Sequence, residues 1–397
     1  MRIMQIANFV SPTSGGIRTA LGHWAQQYGD RGHDIAAVIP DHGTPWVWDT
    51  PADVTLARSR QAPGAPGYRL VTARAEVADA VTRFAPDVLE ISDRTTLRWL
   101  ARWARSRGIA SVLVSHESVT DVARTYGVPR PVAATLASGI HRGGALPFDA
   151  VVAPSRFAAR ELRLAGVRAR VVPLGVDRAT FHPAPLDVKA DADAGAGQPT
   201  GASPLRLLHV GRLSQEKYPF LSVKTLIELV LWGVDAELVV VGDGPHRERV
   251  QRAAAGFPVT FLGHLDAEEV GEHMRASDVV LAPAPAETFG LAALEALACG
   301  TPVVCGTTGA LPEVVGDGGR VVPASPTAFA NAVLALTRDP AVAARVRARA
   351  RDRAARLTWE ASAGAMLEVH RDAVETCRAR TPRVARVARA GRALGAA

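Results

Sequence analysis

The segment Pro283–Pro302 constrains what this chain can fold into more than any other part of its sequence. The apolar run Asp278–Ala282 before it predicts a short buried strand, and Leu291–Ala298 within it predicts a helix that begins just after Gly290. A helix N-terminus presents unpaired N–H groups and the positive end of the helix dipole, which together bind anions such as phosphate. The segment therefore predicts an anion site at the end of a strand.

Two carboxylates flank this predicted anion site. Glu287 lies in the loop, and Glu295 follows it eight positions later, inside the predicted helix. Carboxylate oxygens accept hydrogen bonds from hydroxyl groups. An anion site with two such acceptors beside it suits a sugar nucleotide and few simpler ligands.

The composition indicates a globular protein of two domains without disulfides. A chain of 397 residues with 48% hydrophobic content is long for one core and sufficient for two domains of about 180 residues each. Its three cysteines form no CxxC pair, so we expect neither a disulfide framework nor a structural zinc site. The N-terminus is too short an apolar run for a signal peptide, and no run of eighteen apolar residues occurs. We therefore expect a cytoplasmic protein.

Short apolar runs alternate with amphipathic stretches along the chain, which is typical of βαβ units with a parallel sheet. The first series of predicted strands is Ile3–Ala7, Ile35–Ile39, Val88–Ile91, Ser111–Val114 and Ala150–Ala153. The second series is Leu207–Val210, Glu237–Val241, Val259–Leu262, Asp278–Ala282 and Val303–Cys305. Predicted helices include Gly16–Arg31, Thr96–Arg107 and Thr358–Glu375.

Two domains follow from the two series. We predict an N-terminal domain over residues 1–181 and a C-terminal domain over 205–357, joined by a flexible linker at 182–204 that is rich in Ala, Gly, Asp and Pro. A helix over 358–377 is expected to return to the N-terminal domain, and 378–397 is a basic tail.

Cations and glycines follow several of the predicted strands. Gly15 and Gly16 open a helix after the first strand, where they either admit a ligand or form a tight turn. Arg212 and Lys217 follow the strand Leu207–Val210. The carboxyl end of a parallel strand is where open α/β sheets bind ligands, so these two residues are phosphate candidates. The alternative is a solvated surface pair.

Two further segments follow strands. His116 follows Ser111–Val114, where it can contact a substrate hydroxyl or serve a structural role. The turn Gly242–Pro245 lacks the third glycine of the dinucleotide fingerprint, and Arg247 occupies that position. The sequence therefore gives little support to a hydride-transfer enzyme, and we interpret this segment as a structural turn at the rim of the site.

The linker and the tail offer weaker signals. Asp191 and Asp193 match the D-x-D pattern that binds a metal diphosphate, but they lie in the low-complexity linker, so we expect no metal. The arginines from Arg383 recur every third residue. They form either a basic band for anionic lipid or a solvated tail. Because no aromatic residues interleave with them, nucleic acid is not an expected partner.

The motifs together resemble the retaining glycosyltransferases of family 4, which have the GT-B fold: two Rossmann-like doubly wound α/β domains facing a central cleft. Within that family, the chain is most similar to actinobacterial mannosyltransferases that act on phosphatidylinositol or related glycolipids. The matching parts, in family order, are Gly15-Gly16, His116, Val152–Ser155, Pro173–Asp177, Gly211–Lys217, Gly242–Pro245, the Glu287/Glu295 pair, Gly309–Glu313 and Thr358–Glu360. One departure is that Tyr218-Pro219 follows Lys217, where the family often has glycine.

The resemblance implies a role for each matched residue. Arg212 and Lys217 would hold the donor diphosphate, and Glu295 would accept hydrogen bonds from the ribose hydroxyls. The sugar hydroxyls would bind Glu287, with the backbone N–H groups of Phe289 and Gly290 nearby. In the N-terminal domain, His116 would contact the donor sugar near the reacting centre, and Gly16 would approach the diphosphate or the acceptor.

The expected activity is that of a retaining hexosyltransferase that needs no metal and no other cofactor. The donor inferred from the resemblance is GDP-mannose, and the acceptor is a hydroxyl of a glycolipid reached from the inner face of an anionic membrane. The loop Asp41–Ala65, with Trp46 and Trp48, is expected to influence acceptor choice and interfacial contact. The alternatives are a UDP-sugar with a small soluble acceptor, a GT-B sugar-nucleotide epimerase, and a non-catalytic binding protein.

Overall fold

The computed structural model of this protein describes residues 1–11, 15–43, 48–62, 67–184 and 203–380. The chain divides into two compact units. The first contains Met1–Thr120, Pro131–Pro173 and the segment from Trp359 onward, and the second contains Asp121–Arg130 and Leu174–Thr358. The C-terminal helix thus belongs to the first unit.

The first unit is built on a parallel sheet. Its strands are β1 (Arg2–Ile6), β2 (Asp34–Pro40), β3 (Asp53–Ala57), β4 (Ser59–Gln61), β5 (Arg69–Val71), β6 (Val88–Ile91), β7 (Ala110–Val114), β8 (Ala150–Ala153) and β9 (Arg170–Val171). In the described part of the chain, seven of them form a sheet in the order β3-β2-β1-β6-β7-β8-β9, and β4 pairs antiparallel with β5. The central strands are buried throughout, as expected for a parallel sheet covered on both faces.

Helices cover this sheet. They are Gly16–Gly29, Arg74–Phe84, Trp99–Ser106, Arg130–Ala145, Arg156–Leu164 and Trp359–Arg380, and Val119–Thr125 lies where the chain passes to the second unit. The C-terminal helix packs against the first one, because the Nε1–H of Trp24 donates to Ser362 at 2.9 Å and the rings of His23 and Trp359 stack at 4.8 Å.

The second unit repeats the architecture. Its strands are β10 (Leu205–Val210), β11 (Ala236–Val241), β12 (Val259–Gly263), β13 (Val279–Ala282), β14 (Val303–Gly306) and β15 (Gly319–Val322). The described residues form a six-stranded parallel sheet in the order β12-β11-β10-β13-β14-β15. The helices are Pro219–Leu231, Arg247–Ala253, Ala267–Ala276, Leu291–Ala298, Leu311–Val315, Pro326–Thr337 and Pro340–Ala354, with a 3₁₀ turn at Gln215–Lys217.

Each sheet has one point where the strand order reverses. In the first unit this point lies between β1 and β6, and in the second it lies between β10 and β13. Loops that follow the two strands at such a point diverge to opposite faces of the sheet and leave a crevice, which is where open α/β sheets bind ligands. In each unit, the loops that follow these two strands are therefore the expected place for a ligand.

The predicted strands of both series are confirmed to within two residues at each end. Five further strands, β3, β4, β5, β9 and β15, were missed. All five are partly or largely exposed and two to five residues long, and β15 begins with Gly319-Arg320. Such strands lack the continuous apolar run on which the prediction depended.

The division between the units lies earlier in the chain than the predicted boundary after residue 181. Leu174–Phe181 belongs to the second unit, where the N–H of Val176 donates to the carbonyl of Leu357 at 3.1 Å and Arg275 donates to the carbonyl of Thr180 at 3.2 Å. Most of the predicted linker, 185–202, and the tail beyond Arg380 lie outside the described residues.

Candidate functional site

An ion pair spans the switch point of the second unit. Lys217 lies in the loop after β10, and Glu287 lies in the loop after β13. The Nζ of Lys217 lies 2.5 Å from the Oε2 of Glu287, and the two side chains are 33% and 19% exposed. Sequence reasoning selected both residues, and the structure places a cation and a carboxylate together at the predicted crevice.

The backbone around Lys217 keeps the shape that a glycine would favour. Tyr218 follows the 3₁₀ turn in the left-handed conformation, with φ of +55°, and Pro219 then begins the next helix. An L-residue in this conformation costs roughly 1–2 kcal/mol, whereas glycine adopts it freely. The departure from the family pattern at Tyr218 therefore leaves the turn that presents Lys217 intact.

The turn at Gly242 and Gly244 packs against the loop that carries Lys217. A Cβ on Gly242 would lie 2.1 Å from the carbonyl oxygen of Gly211, and one on Gly244 would lie 2.6 Å from that of Leu213. The N–H of Leu213 also donates to the carbonyl of Asp243 at 2.9 Å. These contacts confirm the interpretation of Gly242–Pro245 as a structural turn, because its glycines allow two backbones to touch.

The loop after β13 turns into its helix at Gly290. This residue has φ of +99°, and a Cβ there would lie 2.5 Å from the Cδ2 of Leu311. No side chain caps the helix Leu291–Ala298 that follows. Phe289 and Gly290 are both buried as whole residues. The loop thus brings helix N–H groups beside Glu287.

Glu295 lies in the second turn of this helix, and its surroundings perturb its ionisation. Burial raises the pKa of the Glu295 carboxyl to about 7. A carboxyl whose pKa is raised by burial is costly to ionise, and such perturbed groups are often functional. The raised pKa therefore makes Glu295 a candidate for a functional carboxyl of this helix.

Arg212 lies beside a residue that sequence reasoning missed. Burial, and then the charge and hydrogen bond of Glu216, raise the pKa of Tyr126, while the charge of Arg212 opposes the rise. The Tyr126 hydroxyl lies 3.5 Å from the Oε2 of Glu216, whose other oxygen accepts from Ser214 at 2.5 Å. Tyr126 belongs to the first half of the sequence, and no local pattern connected it to this loop.

The first helix of the first unit begins at the predicted glycines. Gly15 precedes the helix that starts at Gly16, and its carbonyl accepts from the N–H of Thr19 at 3.1 Å. No side chain caps this N-terminus. A Cβ on Gly15 would meet no described atom within 4 Å. Packing against the described residues therefore does not require glycine at position 15, although its backbone, with φ of −88° and ψ of −104°, lies outside the regular helix and strand conformations.

His116 follows β7 and contacts the loop that follows β6. Its Nε2 lies 3.0 Å from the Oγ of Ser92. Burial, and then the charge of Arg94, lower the pKa of His116 to about 4. The imidazole is therefore neutral at pH 7, which lets it donate or accept one hydrogen bond without carrying charge. Ser92 and Arg94 were not selected from the sequence.

One predicted interfacial residue is placed elsewhere. Trp48 is buried, with its indole against Gly22, so the prediction that it adds contact with a membrane surface is wrong. Trp46 lies outside the described residues, as do Asp191, Asp193 and Arg383. Among the described residues, no group of three His, Cys, Asp or Glu side chains is placed to hold a metal ion, and no helix is long and apolar enough to cross a membrane.

Sequence profiles match both units of the chain. The profile described as "Glycosyl transferase 4-like domain" matches residues 15–175, and the one described as "Glycosyl transferases group 1" matches residues 204–339. A mycobacterial relative is 39% identical over 375 residues, covering 92% of this chain and 95% of its own. The chain belongs to glycosyltransferase family 4. It is an enzyme of glycosyl transfer, and its two parallel-sheet units form the GT-B fold.

That relative is the GDP-mannose-dependent alpha-(1-6)-phosphatidylinositol dimannoside mannosyltransferase of Mycobacterium tuberculosis (strain ATCC 25177 / H37Ra). The D-inositol 3-phosphate glycosyltransferase of Kineococcus radiotolerans is also 39% identical, over 231 residues, which is 52% of each chain. Both belong to the actinobacterial branch that the motifs indicated.

Solved structures confirm the fold. Sucrose-phosphate synthase from Thermosynechococcus elongatus is 22% identical with a TM-score of 0.73, covering 94% of this chain and 98% of its own. Anabaena Alr3699/HepE in complex with UDP and glucose is 20% identical with a TM-score of 0.71, covering 93% of this chain and 99% of its own.

Proposed function

We propose that this family 4 enzyme transfers a mannosyl group from GDP-mannose to a hydroxyl of a phosphatidylinositol-linked glycolipid, with retention of anomeric configuration and without a metal ion. The observation that carries the proposal is the Lys217–Glu287 pair at the switch point of the second unit, directly before an uncapped helix N-terminus. The long match to a GDP-mannose-dependent relative supports the choice of donor and acceptor class.

The diphosphate is assigned to Lys217 and Arg212. As the bond to the sugar breaks, negative charge grows on the departing nucleoside diphosphate, and cations already aimed at it stabilise the transition state. Before the donor binds, Glu287 neutralises the Lys217 ammonium at 2.5 Å. A diphosphate carries more charge than one carboxylate and would draw Lys217 toward itself. Glu287 would then be free to accept hydrogen bonds from sugar hydroxyls.

The nucleoside is assigned to the helix Leu291–Ala298. Phe289 and Gly290 directly precede this helix, and their N–H groups are assigned an anionic or hydroxyl group, which the helix dipole favours at a helix N-terminus. The Glu295 carboxylate would accept from the ribose hydroxyls. Binding those hydroxyls favours the ionised form of Glu295, so donor binding is expected to lower the pKa that burial has raised.

In the first unit, His116 is assigned the contact with the transferred sugar, and the Gly15–Gly16 N-terminus is assigned an anionic or hydroxyl group of donor or acceptor. The neutral imidazole can hydrogen-bond a sugar hydroxyl without adding positive charge beside a reacting centre that itself becomes cationic. In the proposed mechanism the acceptor attacks the face of the sugar from which the diphosphate leaves, and this retains the anomeric configuration.

A lipid acceptor implies work at a membrane surface, which we propose to be the cytoplasmic face. The helix Arg130–Ala145 exposes Val132, Leu136 and Ile140 at four-residue intervals, 50%, 55% and 41% exposed, so they lie along one helical stripe. The sequence from 127 to 148 has no acidic residue and includes Arg130 and Arg142. An apolar stripe with basic neighbours suits an anionic lipid interface, and the tail arginines add positive charge.

The proposal is tested by incubating purified enzyme with GDP-mannose, UDP-glucose or UDP-mannose and with phosphatidylinositol mannosides or free inositol phosphate. We expect mannosyl transfer from GDP-mannose to the lipid, with an α-linkage in the NMR spectrum of the product. Transfer from a UDP-sugar to a soluble acceptor would contradict the proposal and support the alternative of a UDP-sugar-dependent enzyme with a small soluble acceptor. A change in the donor sugar without any acceptor would indicate an epimerase.

A further inference from the structure

The loop that carries His116 is fixed by a carboxylate from a distant helix. Glu161, on the helix Arg156–Leu164, accepts from the Oγ of Ser118 at 2.5 Å and from the N–H of Val119 at 3.1 Å. The N–H of Thr120 lies 3.4 Å from both carboxylate oxygens. Glu161 therefore occupies the N-terminus of the next helix and sets where the loop after β7 ends.

Glu161 is itself the end of a buried chain of polar side chains. The Nε2 of His141 lies 2.5 Å from the Oε1 of Glu161, and the Nδ1 of His141 lies 3.0 Å from the Nη1 of Arg94. Arg94 and His141 are 8% and 1% exposed. Because a guanidinium only donates, Nδ1 of His141 accepts and Nε2–H donates to Glu161. The contacts thus place the His141 ring between a donor from Arg94 and an acceptor on Glu161.

The two charged ends of this series of side chains, Arg94 and Glu161, have opposite signs. Burial alone would raise the pKa of Glu161, but hydrogen bonds from His141 and Ser118 outweigh it and hold that pKa below its usual value. Glu161 is therefore ionised, and the ring of His141 links it to the buried cation Arg94. A satisfied buried network of this kind rigidifies its surroundings, whereas a partly broken one is costly.

The network holds the two residues that directly follow His116. The Nη2 of Arg94 donates to the carbonyl of Glu117 at 3.0 Å, one residue after the histidine. Two residues after it, Ser118 is held by Glu161. The ring itself contacts Ser92 at 3.0 Å. With the following backbone and the ring both held, the imidazole has little freedom to leave the orientation in which it is found.

We propose that Arg94, His141 and Glu161 are positioning residues for His116, which hold its loop in the geometry needed for sugar transfer. The inference rests on the role of His116 in the proposed function. These three residues lie outside the reacting centre, on three separate elements. Their loss should lower the rate of transfer without altering donor binding, which is assigned to the second unit.

Glu161→Gln tests this, because glutamine keeps the size of the side chain but loses its charge and replaces one acceptor with a donor. We expect kcat to fall about 10- to 100-fold, the range that small misplacement of a reacting group produces. The KM for GDP-mannose should stay within about twofold, since Lys217, Arg212 and Glu295 are unaltered. Glu76→Gln is the matched control, because that carboxylate pairs with Arg58 on the surface of the same unit.

A double-mutant cycle separates positioning from a general loss of structure. If Glu161 acts through His116, its substitution should cost little further rate once His116 is already alanine. Rate losses that simply multiply in His116→Ala/Glu161→Gln would overturn the proposal. If His116→Ala alone retains the wild-type rate, the assigned role of His116 in the proposed function fails instead, so the two outcomes can be told apart.

A milder variant guards against unfolding. Ser118→Ala removes one hydrogen bond to Glu161 and leaves both buried charges in place. We expect it to fold with a thermal midpoint near that of the wild type and to lose kcat by a smaller factor than Glu161→Gln, again without a change in donor KM. A kcat for Ser118→Ala equal to that of the wild type would count against the positioning of His116 by this loop.

Discussion

Lys217 and Glu287 are 70 positions apart in the sequence, and their charged groups lie 2.5 Å apart at the reversal point of the second sheet. The pair joins the loops after β10 and β13, which are neighbours in the sheet although two strands separate them in the chain. A partly exposed ion pair contributes little to stability, typically about 0–1 kcal/mol. In the proposed function, this position at the reversal point of the sheet keeps the Lys217 ammonium available for the donor diphosphate.

Lys217→Ala should lose roughly 2–4 kcal/mol of transition-state stabilisation, the usual size for one preorganised electrostatic group. We expect kcat/KM for GDP-mannose to fall accordingly, and Arg212→Ala to behave similarly. Lys224→Ala is the matched control, because that lysine is exposed on the helix Pro219–Leu231 of the same unit. If Lys217→Ala folds and keeps near-wild-type kcat/KM, Lys217 does not hold the diphosphate.

Glu295 should make the stability of the protein fall with rising pH. Its pKa in the folded state is about 7 against the ordinary value of 4.5. Between these values the folded state binds the proton more tightly than the unfolded state, so this contribution is present at low pH and is lost as pH rises through 7. Urea denaturation at pH 5.5 and 8 should show a smaller pH effect for Glu295→Gln than for wild type.

Glu295 should also make donor binding depend on pH, but in the direction opposite to its effect on stability. If the ribose hydroxyls require the carboxylate, the Kd for GDP-mannose should decrease as pH rises from 6 to 8, and binding should release a proton. Calorimetry in buffers of different ionisation enthalpy measures that proton directly. Binding without proton release at pH 7 would remove Glu295 from the nucleoside site.

The sequence predicted the parts of the site that follow buried strands. Lys217, Glu287 and His116 were found because continuous apolar runs located β10, β13 and β7, and the carboxyl ends of such strands are where ligands bind. The pairing of Lys217 with Glu287 was not predicted, because it depends on the strand order and on side-chain reach.

Other site features have no local signature. Tyr126 reaches the loop at Glu216 only because Asp121–Arg130 joins the second unit. Glu161 and His141 belong to helices whose sequence reads as ordinary amphipathic surface, and their contact with the His116 loop depends on tertiary packing. Trp48 was assigned to an interface because it is aromatic in a polar loop, but packing against Gly22 buries it.

Activity should survive excess EDTA. In the proposed mechanism Lys217, Arg212 and helix N–H groups provide the positive charge that a divalent cation would otherwise place on the diphosphate. The measurement is the initial rate after chelation and desalting, with and without added Mg²⁺ or Mn²⁺. Loss of the rate on chelation and its return with Mn²⁺ would contradict metal independence and direct attention to Asp191 and Asp193.

Gly242→Ala should destabilise the second unit strongly. The residue has φ of +125°, and an added Cβ would lie 2.1 Å from the carbonyl oxygen of Gly211. The backbone conformation alone costs about 1–3 kcal/mol for a residue with a side chain, and the clash adds to it. Gly233→Ala is the control, since it has φ of +77° but nothing within 4 Å of the new Cβ. Equal denaturation midpoints for the two variants would contradict the packing argument.

Removal of the residues after Arg380 should weaken binding to anionic liposomes. The four arginines beyond that point (Arg383, Arg386, Arg389 and Arg392) can each contribute about 1 kcal/mol near an anionic surface. The truncation begins there because Arg380 lies 3.3 Å from the Oδ1 of Asp149 and should stay. Transfer to a short soluble acceptor should be largely retained, and added salt should weaken liposome binding of the full chain through screening.

The exposed stripe on Arg130–Ala145 should contribute to the same binding through apolar contact. Leu136→Ser should weaken liposome binding in the truncated protein as well as in the full chain, and this effect should depend less on salt than the effect of the tail. Ala134→Ser, at another exposed position of that helix outside the stripe, is the control. If the full-length protein ignores anionic liposomes at low salt, the membrane proposal fails, and the acceptor must be sought among soluble hydroxyl compounds. If Leu136→Ser weakens liposome binding in the full chain but not in the truncated protein, the stripe acts through the tail, and direct contact between the stripe and lipid is contradicted.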